Sequence, residues 1–181
     1  RYEAQPFLYV PEAASSRYAP GPLEISYGDM LARVSTLAQR YAAAGYGPGQ
    51  RVGLVLDNRP CFFEHFLALN CTGASIVPLS AELRAQELQY LVTHCDSSLI
   101  VTLPEYHSRI GEALAAIKRP PVVIADAGTQ FAPPAPDHEV PVALRLSTDE
   151  AALLYTSGTT GKPKGCVLSN AYFVECGQWY Q

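Results

Sequence analysis

The residues best equipped for chemistry lie together in one run, Leu153-Leu-Tyr-Thr-Ser-Gly-Thr-Thr-Gly-Lys-Pro-Lys-Gly165. Thr156, Ser157, Gly158, Thr159, Thr160 and Gly161 carry little bulk and many donors. Glycines let the backbone turn tightly and bring its N–H groups close to a ligand. Successive N–H groups in such a turn form a concave anion site. Hydroxyls add further donors, and a lysine adds a mobile positive charge suited to phosphate. The chain has ten arginines but three lysines, and two of those three, Lys162 and Lys164, belong to this run. Together these residues describe a phosphate cradle. The spacing is not that of a G-x-x-x-x-G-K-[ST] loop, because the fifth position after Gly161 is Cys166.

Such a loop needs strands to hold it. Residues 151–155 form an apolar run that reads as a buried strand, and residues 166–169 read as a second short strand. Asp149 and Glu150 read as a charged turn before the first of them, a commoner use of such a pair than catalysis. Residues 170–181 read as the start of a helix.

Upstream, short apolar runs alternate with helical patterns. Residues 23–26 form a strand whose Ser26 can cap the next helix. In that helix Tyr27, Met30, Leu31, Val34, Leu37, Ala38 and Tyr41 share one face. Glycines between 45 and 49 end it. Residues 51–56 are apolar on both faces, as a central parallel strand requires. Residues 61–71 are apolar nearly all round, which predicts a well-buried helix. Strands follow at 74–79, 98–102 and 121–125. Between them lie a helix with Leu88, Leu91, Val92 and Cys95 on one face and another marked by Tyr106, Ile110, Leu114 and Ile117. This alternation predicts an α/β fold of right-handed βαβ units around a parallel sheet. The expected division is an irregular N-terminal arm at 1–22 with a short helix near 11–16, a parallel α/β subdomain at 23–126, a proline-rich linker at 127–150, and the strand–loop–strand–helix unit at 151–181.

Composition narrows the function. The 181-residue chain is 48% hydrophobic and 17% charged, which describes a globular core. A net charge of −4 without a basic stripe argues against a nucleic-acid partner. No apolar run is long enough to span a bilayer. The chain opens at Arg1 rather than Met, which reads as a trimmed start. The five cysteines, Cys61, Cys71, Cys95, Cys166 and Cys176, form no C-x-x-C pair, so a zinc site is not expected. Their scatter suits a reducing cytoplasm. His65, His94, His107 and His138 share no metal-ligand spacing and read as surface or core residues.

The order Thr-Ser-Gly-Thr-Thr-Gly-Lys-Pro-Lys-Gly at 156–165 resembles the signature loop of the AMP-forming adenylating enzymes. These are the acyl- and aryl-CoA ligases, the luciferases and the adenylation domains of peptide synthetases. Leu-Glu-Ile-Ser-Tyr-Gly-Asp-Met-Leu at 23–31 resembles the first core motif of that superfamily. Leu-Asn-Cys-Thr-Gly-Ala-Ser-Ile-Val-Pro-Leu-Ser at 69–80 resembles its second. The likeness spans roughly residues 23–176. It implies the N-terminal part of the adenylate-forming large domain, truncated after the phosphate loop, and most like an acyl-CoA synthetase.

The resemblance implies a two-step reaction. A carboxylic acid and Mg-ATP give an acyl-adenylate and pyrophosphate, and coenzyme A or a carrier phosphopantetheine then takes the acyl group. It assigns phosphate contacts to Thr156, Ser157, Gly158, Thr159, Thr160, Gly161 and Lys164, with Lys162 facing solvent. It places the catalytic lysine outside this chain and names no magnesium ligand. The 181 residues are therefore expected to be inactive alone and to self-associate through uncovered apolar surface. Two positions depart from the usual pattern: Cys166 replaces a small apolar residue, and Asn170 replaces a histidine. The alternatives are an adenylation domain that loads a carrier protein and a non-catalytic phosphate-binding module.

Overall fold

The computed structural model describes residues 2–126, 131–137, 147–156 and 163–179. Two strands, β1 (Pro6–Val10) and β2 (Leu23–Ser26), pair antiparallel in a small sheet of their own. The first corrects the expectation of an arm that is irregular apart from a short helix near 11–16. Its pairing is supplied by β2, from Val10↔Leu23 onward, rather than by any periodicity of its own. Pro6 sits at the first position of the strand, where a missing N–H is tolerated. The short helix α1 (Glu12–Ser15) falls within 11–16, where a short helix was expected, and Ser15 Oγ donates to Gly21 O at 2.7 Å.

Helix α2 (Tyr27–Ala44) starts at a capping box. Ser26 Oγ accepts the Asp29 N–H at 3.1 Å, and the Asp29 carboxylate accepts the Ser26 N–H in return. Gly45, at φ 97°, ends it in the left-handed region. Met30, Val34, Leu37 and Tyr41 are buried as expected. Tyr27 and Leu31 are not, and Leu31 is 62% exposed. The covered stripe is narrower than the apolar one, and the Tyr27 ring packs edge-on against Phe7 of β1, with centroids 5.2 Å apart.

The remaining elements alternate. They are β3 (Arg51–Val55), α3 (Pro60–Thr72), β4 (Ser75–Pro78), α4 (Ala85–Cys95) and β5 (Leu99–Thr102). A 3-10 turn at Pro104–Tyr106 runs into α5 (His107–Leu114), followed by β6 (Val122–Ala125). After them come β7 (Glu150–Thr156), β8 (Lys164–Ser169) and α6 (Asn170–Trp179). Among the described residues the main sheet has six strands in the order β6-β5-β3-β4-β7-β8. Its first five strands are mutually parallel, and β8 is antiparallel to β7.

Both faces of the central strands β3, β4 and β5 are covered, which is why these runs are largely apolar. Val52, Leu54, Ile76, Leu99, Val101 and Ala152 pack with α2 and α3 on one face. Val55, Val77, Ile100 and Leu153 pack with α4 and α5 on the other. Within α3 the all-round apolar pattern overstates burial. His65, Ala68 and Leu69 are buried, whereas Phe62 and Phe66 are half-buried and Phe63 is 37% exposed. Phe63 stacks edge-on to Phe7 instead, at 6.4 Å.

Gly73 ends α3 at φ 87°, and a Cβ there would lie 2.9 Å from Cγ of Pro48, a ring with little freedom to move. Gly73→Ala is expected to lower stability by about 1.5 kcal/mol through left-handed strain and overpacking. Urea unfolding checks this, and an unchanged midpoint would refute it.

The amino ends of three strands are tied by charge. Arg51 of β3 holds Glu150 of β7 through two bonds, Nε to Oε1 and Nη2 to Oε2, each 2.7 Å. Ser75 of β4 donates to the same carboxylate at 2.7 Å. Glu150 is thus the first residue of a strand rather than part of the turn, while Asp149 does lie in the turn. Phe131 is buried against Tyr41 and His65, with centroids 5.4 and 4.8 Å away.

Candidate functional site

The five parallel strands all point their carboxyl ends to one edge of the sheet, the edge at which open α/β sheets bind ligands. Strand β7 reaches that edge at Thr156, and β8 leaves it at Lys164. Thr156 and Lys164 are direct partners across the antiparallel ladder. The structure therefore brings two of the sequence-predicted phosphate contacts side by side, both exposed, with Pro163 beside them. Ser157, Gly158, Thr159, Thr160, Gly161 and Lys162 lie outside the described residues.

The local sequence explains the hairpin. Ala151, Ala152 and Leu153 are buried in the middle of the fold, so β7 enters as a core strand. Gly165 is paired with Tyr155, and a Cβ there would meet Leu153 Cδ1 at 3.0 Å and Tyr155 Cε1 at 3.5 Å. The glycine thus lets β8 close onto β7 beneath those side chains. The Tyr155 hydroxyl lies 2.7 Å from Nδ1 of His94, in the last turn of α4. Burial pushes the Tyr155 pKa up to about 12, so the phenol is protonated at neutral pH.

A cleft of about 700 Å³ opens at the same edge of the sheet. Its floor is formed where β3 and β4 end, at Leu56, Asp57, Leu79 and Ser80, and its rim by α1. This volume falls within the size range of small-molecule sites. Asp57 takes φ 53°, which turns the chain sharply after the buried strand. The Tyr106 hydroxyl donates to the Asp57 carboxylate at 2.9 Å. Arg59 pairs with Glu105, and its guanidinium stacks 4.8 Å over the Tyr18 ring. The sequence contained one sign of this cleft, the Asp-Asn turn after an apolar strand. Its other walls come from segments too far apart in the chain to be grouped by any motif.

The other residues weighed from sequence fall elsewhere. His65 is buried between α2 and α3, with Nδ1 2.8 Å from the Tyr41 hydroxyl and Nε2 3.6 Å from Asp126 Oδ2. The His107 Nε2 lies 3.1 Å from the Val123 carbonyl. His138 lies outside the described residues. Cys95 is buried, Cys61 and Cys176 are partly buried, and Cys71 and Cys166 are exposed. Burial raises the Cys61 thiol to about 12 and also raises that of Cys95, the reverse of an activated nucleophile. Asn170 stands at the far end of β8 from Lys164, where its N–H donates to Asp149 O at 3.1 Å. Among the described residues no group of three or more His, Cys, Asp or Glu side chains converges to hold a metal ion. None of the described helices is long and apolar enough to cross a membrane.

Residues 11–181 match the model of the AMP-binding enzyme family. A feruloyl-CoA synthase of Amycolatopsis is 35% identical over 162 residues, covering 88% of this chain and 31% of that protein. A sulfoacetate–CoA ligase of Cupriavidus necator is 32% identical over 177 residues, covering 96% and 33%. The nonribosomal peptide synthetase ecdA of Aspergillus rugulosus is 32% identical over 148 residues, 81% of this chain and 2% of that protein. Among solved structures, ATP-bound MatB from Rhodopseudomonas palustris superposes with a TM-score of 0.71 at 27% identity, over 97% of this chain and 34% of that one. The chain spans about a third of the length of the CoA ligases it matches. Its fold is that of the N-terminal part of the adenylate-forming enzymes.

Proposed function

We propose, because the chain belongs to the AMP-binding enzyme family, that it supplies the phosphate-holding part of an ATP-dependent acid–thiol ligase. The observation that carries this reading is the hairpin at the carboxyl edge of the sheet. Thr156 and Lys164 stand opposite each other there, at the two ends of the run of glycines and hydroxyls. In the proposed reaction a carboxylate oxygen attacks the α-phosphorus of ATP, the bond to the β-phosphate oxygen breaks, and pyrophosphate leaves. A thiol then attacks the acyl carbonyl and AMP departs.

Charge builds on the leaving pyrophosphate. Thr156, Ser157, Gly158, Thr159, Thr160 and Gly161 are assigned to donate to its oxygens, and Lys164 to neutralise it. Such groups lower the barrier by orientation and electrostatic stabilisation, with no covalent step of their own. Magnesium accompanies ATP in this scheme and is assigned no ligand here.

Coenzyme A is the proposed acceptor, because the relatives matched over most of this chain include a feruloyl-CoA synthase and a sulfoacetate–CoA ligase. The likeness to a nonribosomal peptide synthetase favours a second reading, in which a carrier protein takes the acyl group. Pyrophosphate release by the full-length gene product, over a panel of carboxylic acids with and without coenzyme A, separates the two. Acid-dependent release with a CoA thioester is the expected result. Release without a thioester favours the carrier reading. If no acid elicits release and ATP does not bind, the ligase reading fails.

A further inference from the structure

Strand β7 leads into the phosphate loop and β8 leads out of it. Among the described residues β7 pairs with β4 at Ile76↔Ala152 alone. From Leu153 to Thr156 its ladder runs to β8. A side-chain contact near Thr156 would tie this end of the hairpin to the rest of the fold.

One side-chain contact is placed to do so. Tyr155 lies one residue before Thr156, and its hydroxyl is 2.7 Å from His94 Nδ1. The two rings meet edge to face, with centroids 5.6 Å apart. Tyr90, one turn earlier on α4, backs the imidazole at 5.8 Å. His94 also reaches over β8, since its Cε1 would lie 3.7 Å from a Cβ at Gly165, the neighbour of Lys164. Helix α4 is a firm anchor, because Leu88, Leu91, Val92 and Cys95 bury it against the sheet. The contact survives a change of charge. A neutral Nδ1 accepts from the phenol, and a protonated Nδ1 donates to the phenol oxygen.

We propose that His94 is a positioning residue for the phosphate loop, acting through Tyr155 to hold Thr156 and Lys164 at the separation that ATP phosphates require. The proposal rests on the reading of this loop as the ATP phosphate site. His94 contacts Tyr155, Tyr90 and the Gly165 position of β8. It acts by restraining the strand ends, so its loss should be felt in nucleotide affinity rather than in recognition of the acid.

The test uses the full-length protein with His94→Ala, Tyr155→Phe, the two combined, and His94→Asn, whose amide oxygen stands close to where Nδ1 was. ATP affinity is measured by calorimetry and the KM for the acid by turnover. Each single change should raise the Kd for ATP about threefold to tenfold, the worth of one net hydrogen bond. The double variant should match the singles, His94→Asn should return to within about twofold of the unsubstituted protein, and the KM for the acid should hold within that same margin. Unchanged ATP affinity in a folded Tyr155→Phe protein would overturn the proposal, as would additive losses or a failure of His94→Asn to recover affinity. If the unsubstituted protein binds no ATP, the functional reading itself fails and takes this inference with it, an outcome distinct from normal binding that the variants leave untouched.

Discussion

If the proposed function holds, replacing Lys164 with alanine in the full-length protein is expected to slow adenylate formation about a hundredfold, the usual effect of removing one group that stabilises transition-state charge. Lys164 opens β8, is exposed, and lies opposite Thr156 at the carboxyl edge of the sheet. Its side chain belongs to neither of the two core clusters. Stability should therefore change by no more than about 0.5 kcal/mol, as for other surface substitutions. The loss should appear in ATP–pyrophosphate exchange, with the thermal midpoint unmoved. Near-normal exchange by this variant would remove Lys164 from the site, and a large drop in thermal midpoint would mean that it acts through the fold.

The second large effect is on stability and arises at the opposite edge of the sheet. Glu150→Ala leaves Arg51 and Ser75 without their shared acceptor. Breaking a fully buried ion pair costs about 3–5 kcal/mol. The side chains of Arg51 and Glu150 keep 30% and 22% exposure, and solvent screening reduces the expected loss to about 2 kcal/mol. The pair also has a pH signature. Burial alone would raise the Glu150 pKa, but hydrogen bonds from Arg51 and Ser75, with the charge of Arg51, outweigh it and hold the carboxyl below its ordinary 4.5. A depressed carboxyl stabilises the fold above its unfolded-state pKa, and that contribution is lost as pH falls through the folded-state value. Unfolding at pH 7 should thus separate Glu150→Ala from the parent, and the difference should shrink well below pH 4.5. A gap that stays constant across that range would mean that packing rather than charge holds the strands.

These two edges were not equally visible in the sequence. The parallel core was legible because β3 and β5 are apolar on both faces and alternate with helical patterns, the pattern of a sheet covered on both sides. Helix α4 was legible because Leu88, Leu91, Val92 and Cys95 recur at helical spacing and all are buried. Strand β1 was not, because its order comes from pairing with β2, on the far side of α1 in the chain. Leu31 and Phe63 looked like core residues because periodicity reports which side chains are apolar, not how far a neighbour extends to cover them. Glu150 looked like part of a turn because its partners, Arg51 and Ser75, lie far away in the chain. Of the candidate site, the composition of the loop could be read directly, whereas the cleft and the His94–Tyr155 contact exist only once distant segments have been brought together.

The ladder between β7 and β8 also bears on how this surface can diversify. It runs from Glu150↔Ser169 to Thr156↔Lys164, so the register of both strands is set before the chain reaches the intervening loop. Residues inserted into that register are paired or buried and resist change. Those between its last partners lie outside the paired register, and in the proposed reading they answer to ligand chemistry. Mutation can therefore sample alternative loops at this edge with little risk to the scaffold, and an engineer could exchange the seven residues between those partners as a cassette. The boundaries of such a cassette are Thr156 and Lys164, and a graft that disturbs Gly165 would carry its cost into the strand pairing itself.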